Sequence, residues 1–351
     1  MNSSRFLKVS LSALCAAGLM LSASAFAEVR VNGSGASFPF PIYSKWFKDF
    51  SKKTKGVRVD YQAKGSGAGI QDFINNTVDF AASDAAMKES EMAKVKQGVV
   101  LLPMTAGEVV LAYNLKGVKG LKLPRDVYPE IFAGNITKWN DPKIAAANPG
   151  VNLPDREIIV VVRSDSSGTT YVFTGHLSEI DETFKKTVGQ GKAPQWPKSN
   201  KFVKAPKNDG ITATIKQTPG SIGYIEYGYA KLTNTPTAML ENKSGNFIMP
   251  SAESGSAALA SAEFPEGTLP DSDVPNLIAW VWDPAGADAY PIATFTWLLL
   301  YKEQDDDKAK ALRDLVEYCL TEGQKSADKL GYIPLPANVI EKVRAAAKFV
   351  Q

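Results

Sequence analysis

Short apolar runs rich in β-branched residues alternate along the chain with stretches whose apolar residues recur at helical spacing. Glu28–Val31 is followed by Ile42–Lys53, Val57–Gln62 by Ile70–Asn75, and Ile158–Arg163 by Tyr171–Ile180. Strand-then-helix repetition predicts an α/β fold built on parallel strands. The run Ile158-Ile159-Val160-Val161-Val162 is apolar without alternation, as a central strand is when helices cover both faces of its sheet. Val99–Leu102, Val109–Tyr113 and Thr294–Tyr301 form a second class of β-rich runs, predicted as crossings or edges between two lobes. Helical patterns close the chain at Lys308–Leu330 and at Ala337–Phe349, the latter amphipathic and set off by Pro334 and Pro336. Segments rich in Pro, Gly, Asn and Ser, Lys192–Asp209 and Glu241–Asp273, predict loops.

Composition narrows the function class. At 351 residues, 44% hydrophobic and 22% charged, the chain has room for about two domains of roughly 150 residues. Residues 1–27 read as an export signal: Arg5 and Lys8, an apolar stretch Val9–Leu21, then Ala25-Phe26-Ala27 as the cleavage site, so that the mature chain begins at Glu28. That apolar stretch is too short for the roughly 20 residues that span a bilayer. Leu14 stands where a lipidation signal wants a small residue, which sets Cys15 aside as an anchor. Cys319 then remains unpaired inside a helical pattern, the place of a buried small hydrophobe. The formal charge is +3, and removing a leader with two basic and no acidic residues leaves +1. Nucleic-acid binding through bulk charge is disfavoured. The densest basic cluster, Lys116, Lys119, Lys122 and Arg125, is broken by Gly117 and Gly120 and predicts a solvated loop. One histidine, His176, excludes mechanisms that need two, including the HExxH zinc motif.

Candidate chemistry gathers at three strand-to-helix junctions. Gly33-Ser34-Gly35-Ala36-Ser37-Phe38 follows the first strand, Gly65-Ser66-Gly67-Ala68-Gly69 the second, and Asp165-Ser166-Ser167-Gly168-Thr169-Thr170 the apolar strand. A helix start offers unpaired N–H groups and the positive end of the macrodipole, so small residues there admit an anion and hydroxyls add donors. Each turn alone is also what ordinary helix capping produces. No GxGxxG, GxxxxGK[ST] or GxSxG pattern occurs, so nucleotide loops and a nucleophile elbow are absent. Arg163 ends the apolar strand just before the third turn, and a permanent guanidinium there wants an anion. Asp84, after the strand-like Val78–Ser83, is either its ion-pair partner or a second pocket residue. If both line one pocket, Arg163 neutralises a doubly charged oxyanion while Asp84, kept ionised by Arg163, accepts a proton from it. Monohydrogen phosphate brings that proton; sulfate at neutral pH does not.

At these residues the sequence closely resembles the periplasmic phosphate-binding proteins of the high-affinity phosphate ABC transporter. The likeness covers nearly the whole mature chain: Gly33–Pro39, Gly65-Ser66, Asn76–Asp84, Lys138–Pro142, Arg163–Thr169, Gly220–Tyr227 and Gly331–Pro336. The resemblance implies that Ser37 and Phe38 donate by hydroxyl and backbone N–H, and that Ser66 donates from the second turn. Asp84 takes the ligand proton, Arg163 supplies charge, Ser167, Gly168 and Thr169 close the third side, and Asp165 holds the Arg163 side chain from behind. Ser37 stands where the family commonly has Thr, and Gly67 where a second Ser is common, which predicts altered packing at the rim with the phosphate chemistry retained. The implied fold is a two-lobed clamp, each lobe a mainly parallel sheet flanked by helices. Lobe I comprises residues 28–105 and 291–351, and lobe II residues 106–290, with crossings near Thr105 and Tyr290. The implied partners are inorganic phosphate and the permease subunits of an inner-membrane ABC importer, for an exported periplasmic monomer without cofactor, metal or catalytic residues. Rival readings are a binding protein for another oxyanion and a phosphoester hydrolase with Ser167 or Ser37 as nucleophile. The hydrolase would need His176 as its base.

Overall fold

A computed structural model describes residues 28–351. The export signal with Arg5, Lys8 and Cys15 lies outside the described residues. The strands in chain order are β1 Val29–Gly35, β2 Val57–Ala63, β3 Phe80–Ser83, β4 Val99–Tyr113, β5 Lys122–Leu123, β6 Ile159–Arg163, β7 Phe202–Ala205, β8 Ser221–Glu226, β9 Met239–Glu241, β10 Phe247–Ile248 and β11 Ala293–Tyr301. Eight of them form one sheet in the order β2-β1-β3-β11-β4-β8-β6-β7, and β10-β9-β5 form a small second sheet. β1 runs parallel to β2 and β3, and β6 runs parallel to β7 and β8. Between these parallel sets lie β11 and β4, antiparallel to each other and to their outer neighbours.

Of the two alternatives, crossings or edges, the edge reading does not hold for β4. Val99–Leu102 and Val109–Tyr113 belong to a single 15-residue strand, buried throughout, at the centre of the sheet and not at its edges. Its first part pairs with β11 as far as Glu108, and from Val109 it pairs with β8. Continuous burial on both faces is why the pattern showed no alternation there. The register against β11 shifts between Thr296 and Trp297, opposite Thr105 and Pro103. A bulge of this kind re-aims side chains, and Pro103, which has no N–H to give, sits beside it.

The helices start earlier than periodicity indicated, and after the second and third junctions the reason is that their first turns are made of the junction's own small residues. They span Phe40–Lys53, Ser66–Ile74 and Gly168–Ile180. The two segments expected as loops contain β7, the start of helix Lys207–Gln217, β10 and helix Ala252–Leu259. Those elements are short, so Pro, Gly, Asn and Ser at their ends outweighed the pattern inside them. The Lys308–Leu330 pattern resolves into helix Asp306–Tyr318 followed by irregular helical turns to Leu330. Asp305 caps that helix by accepting the Lys308 N–H, with Asp306 and Asp307 in its first turn. Cys319 is buried, as its pattern predicted. Half of the basic cluster is structured: Lys122 lies in β5 and Arg125 donates to both carboxylate oxygens of Asp283.

Candidate functional site

The three glycine-serine turns meet. β1, β3 and β6 all point their C-terminal ends toward one place, and Asp84 and Arg163 are the residues that follow β3 and end β6. Gly168 opens its helix so close to the second turn that a Cβ on it would overlap Ser66 Oγ and come within 2.7 Å of Asp84 Oδ2. The Gly67 N–H donates to the Ser166 carbonyl at 2.9 Å, and a side chain at Gly67 would collide with Ser166 Oγ. Close contact with the third turn therefore accounts for glycine at position 67. Gly65, at φ 97°, takes the left-handed conformation that frees Ser66 to begin the next helix.

Ser37, Phe38, Ser66, Asp84, Arg163, Ser167 and Thr169 are all buried. Tyr229 Oη donates to the Ser37 carbonyl at 2.6 Å and Tyr332 Oη to the Phe38 carbonyl at 2.7 Å, which fixes the first turn by its acceptors. Ser167 caps its helix by accepting the Thr170 N–H at 3.0 Å. Arg163 is held as a fork: Nε and Nη2 donate to the two Asp165 oxygens at 2.7 and 2.5 Å, and Nη1 reaches Thr169 Oγ1 at 3.4 Å. Arg163 thus pairs with Asp165, as the resemblance implied, and the alternative of a direct Arg163–Asp84 ion pair is not what forms. Burial raises Asp165, but the bonds from Arg163 and from the Lys207 N–H outweigh it and hold this carboxyl below its ordinary value.

Asp84 shows the reverse balance. Thr296 Oγ1, re-aimed at the β11 bulge, donates to Asp84 Oδ1 at 2.8 Å, and Ser66 Oγ lies 3.5 Å from Oδ2. Burial nevertheless dominates and pushes the carboxyl up to about 7, against Thr296, the Arg163 charge and Ser66, which all favour the ionised form. Arg163 favours the ionised form of Asp84, as expected, but with its guanidinium committed to Asp165 it does not offset the burial.

Three residues of this network carried no sequence signal of function, Thr296, Tyr229 and Asn208, while Tyr332 lies in the Gly331–Pro336 stretch of the likeness, which gives it no role of its own. Asn208 donates from its backbone N–H and from Nδ2 to Ser37 Oγ at 3.1 and 2.9 Å, and from Nδ2 to Thr169 Oγ1 at 3.1 Å. His176 is a structural residue. It is buried, its Nδ1–H donates to the Trp282 carbonyl at 2.6 Å, Nε2 accepts from Tyr128 Oη at 2.8 Å, and burial pushes it down to about 4. Both ring nitrogens are occupied, so no base is offered to Ser167 or Ser37. Trp280 and Trp282 stack on each other at 4.9 Å and pack with Tyr171 and Trp297, as a packing role requires.

Residues 22–322 match a PBP superfamily domain. The phosphate-binding protein PstS of Pasteurella multocida is 40% identical over 321 residues, spanning 91% of this chain and 90% of that protein. The chain belongs to the PstS family of phosphate-binding proteins. PstS of Haemophilus influenzae is 38% identical over 94% of this chain and 96% of its own length. Among solved structures, the high-affinity periplasmic phosphate-binding protein PfluDING, bound with phosphate, superposes with a TM-score of 0.72 at 24% identity, covering 90% of this chain and 93% of that one. A phosphate-binding protein from Stenotrophomonas maltophilia gives 0.68 at 20% identity with the same coverage. The PstS fold seen in these neighbours is the two-lobed periplasmic binding protein clamp, and the two parallel halves of the sheet joined through β4 are its form here.

Proposed function

We propose that this protein captures inorganic phosphate between its two lobes and delivers it, without chemical change, to a membrane ABC importer. The observation that carries the reading is the burial of Arg163 and Asp84 at one convergence of three helix starts. A dianion needs the guanidinium and the free N–H groups of Phe38, Gly168 and Thr169; its one hydrogen needs an acceptor, and Asp84 is that acceptor. Ser37, Ser66, Ser167 and Thr169 supply hydroxyls, and Asp165 keeps the Arg163 fork in plane. Lobe I is assigned to residues 28–105 with 291–351 and lobe II to 106–290, an assignment supported by the change of partner along β4 after Glu108. Export by residues 1–27 and action as a periplasmic monomer that meets inner-membrane permease subunits complete the proposal. No helix among the described residues is long and apolar enough to cross a membrane. A micromolar affinity corresponds to about 8 kcal/mol, within reach of a handful of charge-assisted bonds at about 1.5–3 kcal/mol each.

Titration calorimetry of the desalted protein tests this. Phosphate binds at micromolar or lower concentration and sulfate does not; equal affinity for the two anions, or no heat with phosphate, would refute it.

A further inference from the structure

Asn208 has its amide orientation dictated by a group that can only donate. The Glu226 backbone N–H points at Oδ1 at 2.9 Å, so the amide oxygen must lie on that side and Nδ2 must face the two hydroxyls. Ser37 Oγ then receives two hydrogens, from the Asn208 N–H and from Nδ2. Thr169 Oγ1 likewise receives two, from the other Nδ2 hydrogen and from Arg163 Nη1. A hydroxyl oxygen has two acceptor sites and one hydrogen. With both sites filled, each of these hydroxyls can only donate its own hydrogen to something else.

The chain goes to some length to hold Asn208 there. The residue is buried in the first turn of helix Lys207–Gln217, so its N–H is one that the helix itself leaves unpaired. Lys207 before it adopts φ 58°, in the left-handed region that a residue with a Cβ rarely enters. Its N–H is received by Asp165 Oδ1, the same oxygen that receives Arg163 Nε.

Resting on the phosphate reading above, we infer that Asn208 is a positioning residue that forces Ser37 and Thr169 to act as obligate donors, so that the ligand can present only bare oxygens to them. Its protonated oxygen is thereby directed away from these two hydroxyls and toward the Asp84 carboxylate. Asn208 and Thr169 belong to the segment assigned to lobe II and Ser37 to that assigned to lobe I, so donor polarity at Ser37 is completed when the lobes come together.

The test is a set of titrations with inorganic phosphate on Asn208→Asp, Asn208→Ala, Ser37→Ala and the double variants, with thermal melts alongside. In Asn208→Asp a carboxylate oxygen replaces Nδ2 and accepts from both hydroxyls. Binding should weaken about 100-fold, or about 2.8 kcal/mol at 1.4 kcal/mol per tenfold, against about tenfold for Asn208→Ala. A packing role predicts the opposite order, because alanine removes more atoms. Ser37→Ala should cost less than twofold in the Asn208→Asp background, since the hydroxyl is already turned away there. An undiminished Ser37→Ala cost in that background means that the new charge alone repels the ligand, and it overturns the inference, as does a larger loss in Asn208→Ala. If Asn208→Asp does not fold, the Ser37→Ala cost in Asn208→Ala decides: smaller than in the wild type supports the inference, equal overturns it. A wild type that fails to bind phosphate counts against the functional reading, whatever the variants do.

Discussion

Asp84 sets burial against charge within one side chain, and burial prevails. Its folded value of about 7 lies above the ordinary 3.8, so the native state holds its proton more tightly than the unfolded chain does. The stability this contributes is fully present below about pH 4 and is lost as pH rises through about 7. Glu108 and Glu226, pushed up by their own burial, act in the same direction, and Asp165 acts against them. The melting temperature of the phosphate-free protein should therefore fall between pH 5 and pH 8, with a shallower fall in Asp84→Asn; identical slopes would remove Asp84 as a contributor. On the proposed reading of the site, the same titration sets selectivity. Sulfate should compete with phosphate better at pH 6, where Asp84 is largely protonated, than at pH 8, and Asp84→Asn should abolish that difference in competition calorimetry. For Arg163→Lys, phosphate affinity should drop by about 100-fold, because an ammonium can neither receive the bidentate grip of Asp165 nor extend a further N–H toward Thr169.

Elements bring these side chains together by having almost no side chain where they touch. Gly67 and Gly168 let two helix starts approach until backbone meets hydroxyl, so N–H groups at the positive ends of helices gather at the proposed site. Gly168→Ala should lower phosphate affinity beyond detection and destabilise the fold by about 1–3 kcal/mol in urea unfolding, as forced overpacking does; a wild-type titration from this variant would mean that the turns stand further apart. The three turns, Arg163 and Asp84 were legible in the sequence, because a Gly/Ser/Thr cluster after a β-branched run identifies a junction by local chemistry alone. Asn208 was not. It lies in a stretch whose Pro, Gly, Asn and Ser content reads as loop, and an asparagine opening a helix is commonplace until its partners are known. Thr296 was hidden similarly: its aim at Asp84 comes from a register shift, which leaves no mark on an apolar strand.

Across the whole molecule, the halves of the sheet are joined through β4, and several polar contacts run between the segments assigned to the two lobes. One is Lys192 Nζ on Glu91 Oε1 at 3.0 Å, both side chains largely buried, with the Lys192 carbonyl also receiving the N–H of Ser167. Lys192→Ala should speed phosphate release about threefold in stopped-flow measurements, as a part-buried pair worth at most about 1 kcal/mol allows; an unchanged rate would show that this pair does not restrain opening. Phosphate at about 1,000 times its dissociation constant should add about 4 kcal/mol to the unfolding free energy, readable as a rise in melting temperature that sulfate does not produce. The sequence by itself determined the α/β class, the junctions and the charge at the end of β6, since these follow from residue type and local order, while the residues proposed to face the anion rest on the family resemblance. Only the tertiary structure decided that Val99–Tyr113 is one central strand, that burial outweighs the guanidinium at Asp84, and that Asn208 donates to two hydroxyls. Those outcomes depend on which distant segments exclude water from a given atom and which donors reach it, and neither quantity exists until the chain is folded.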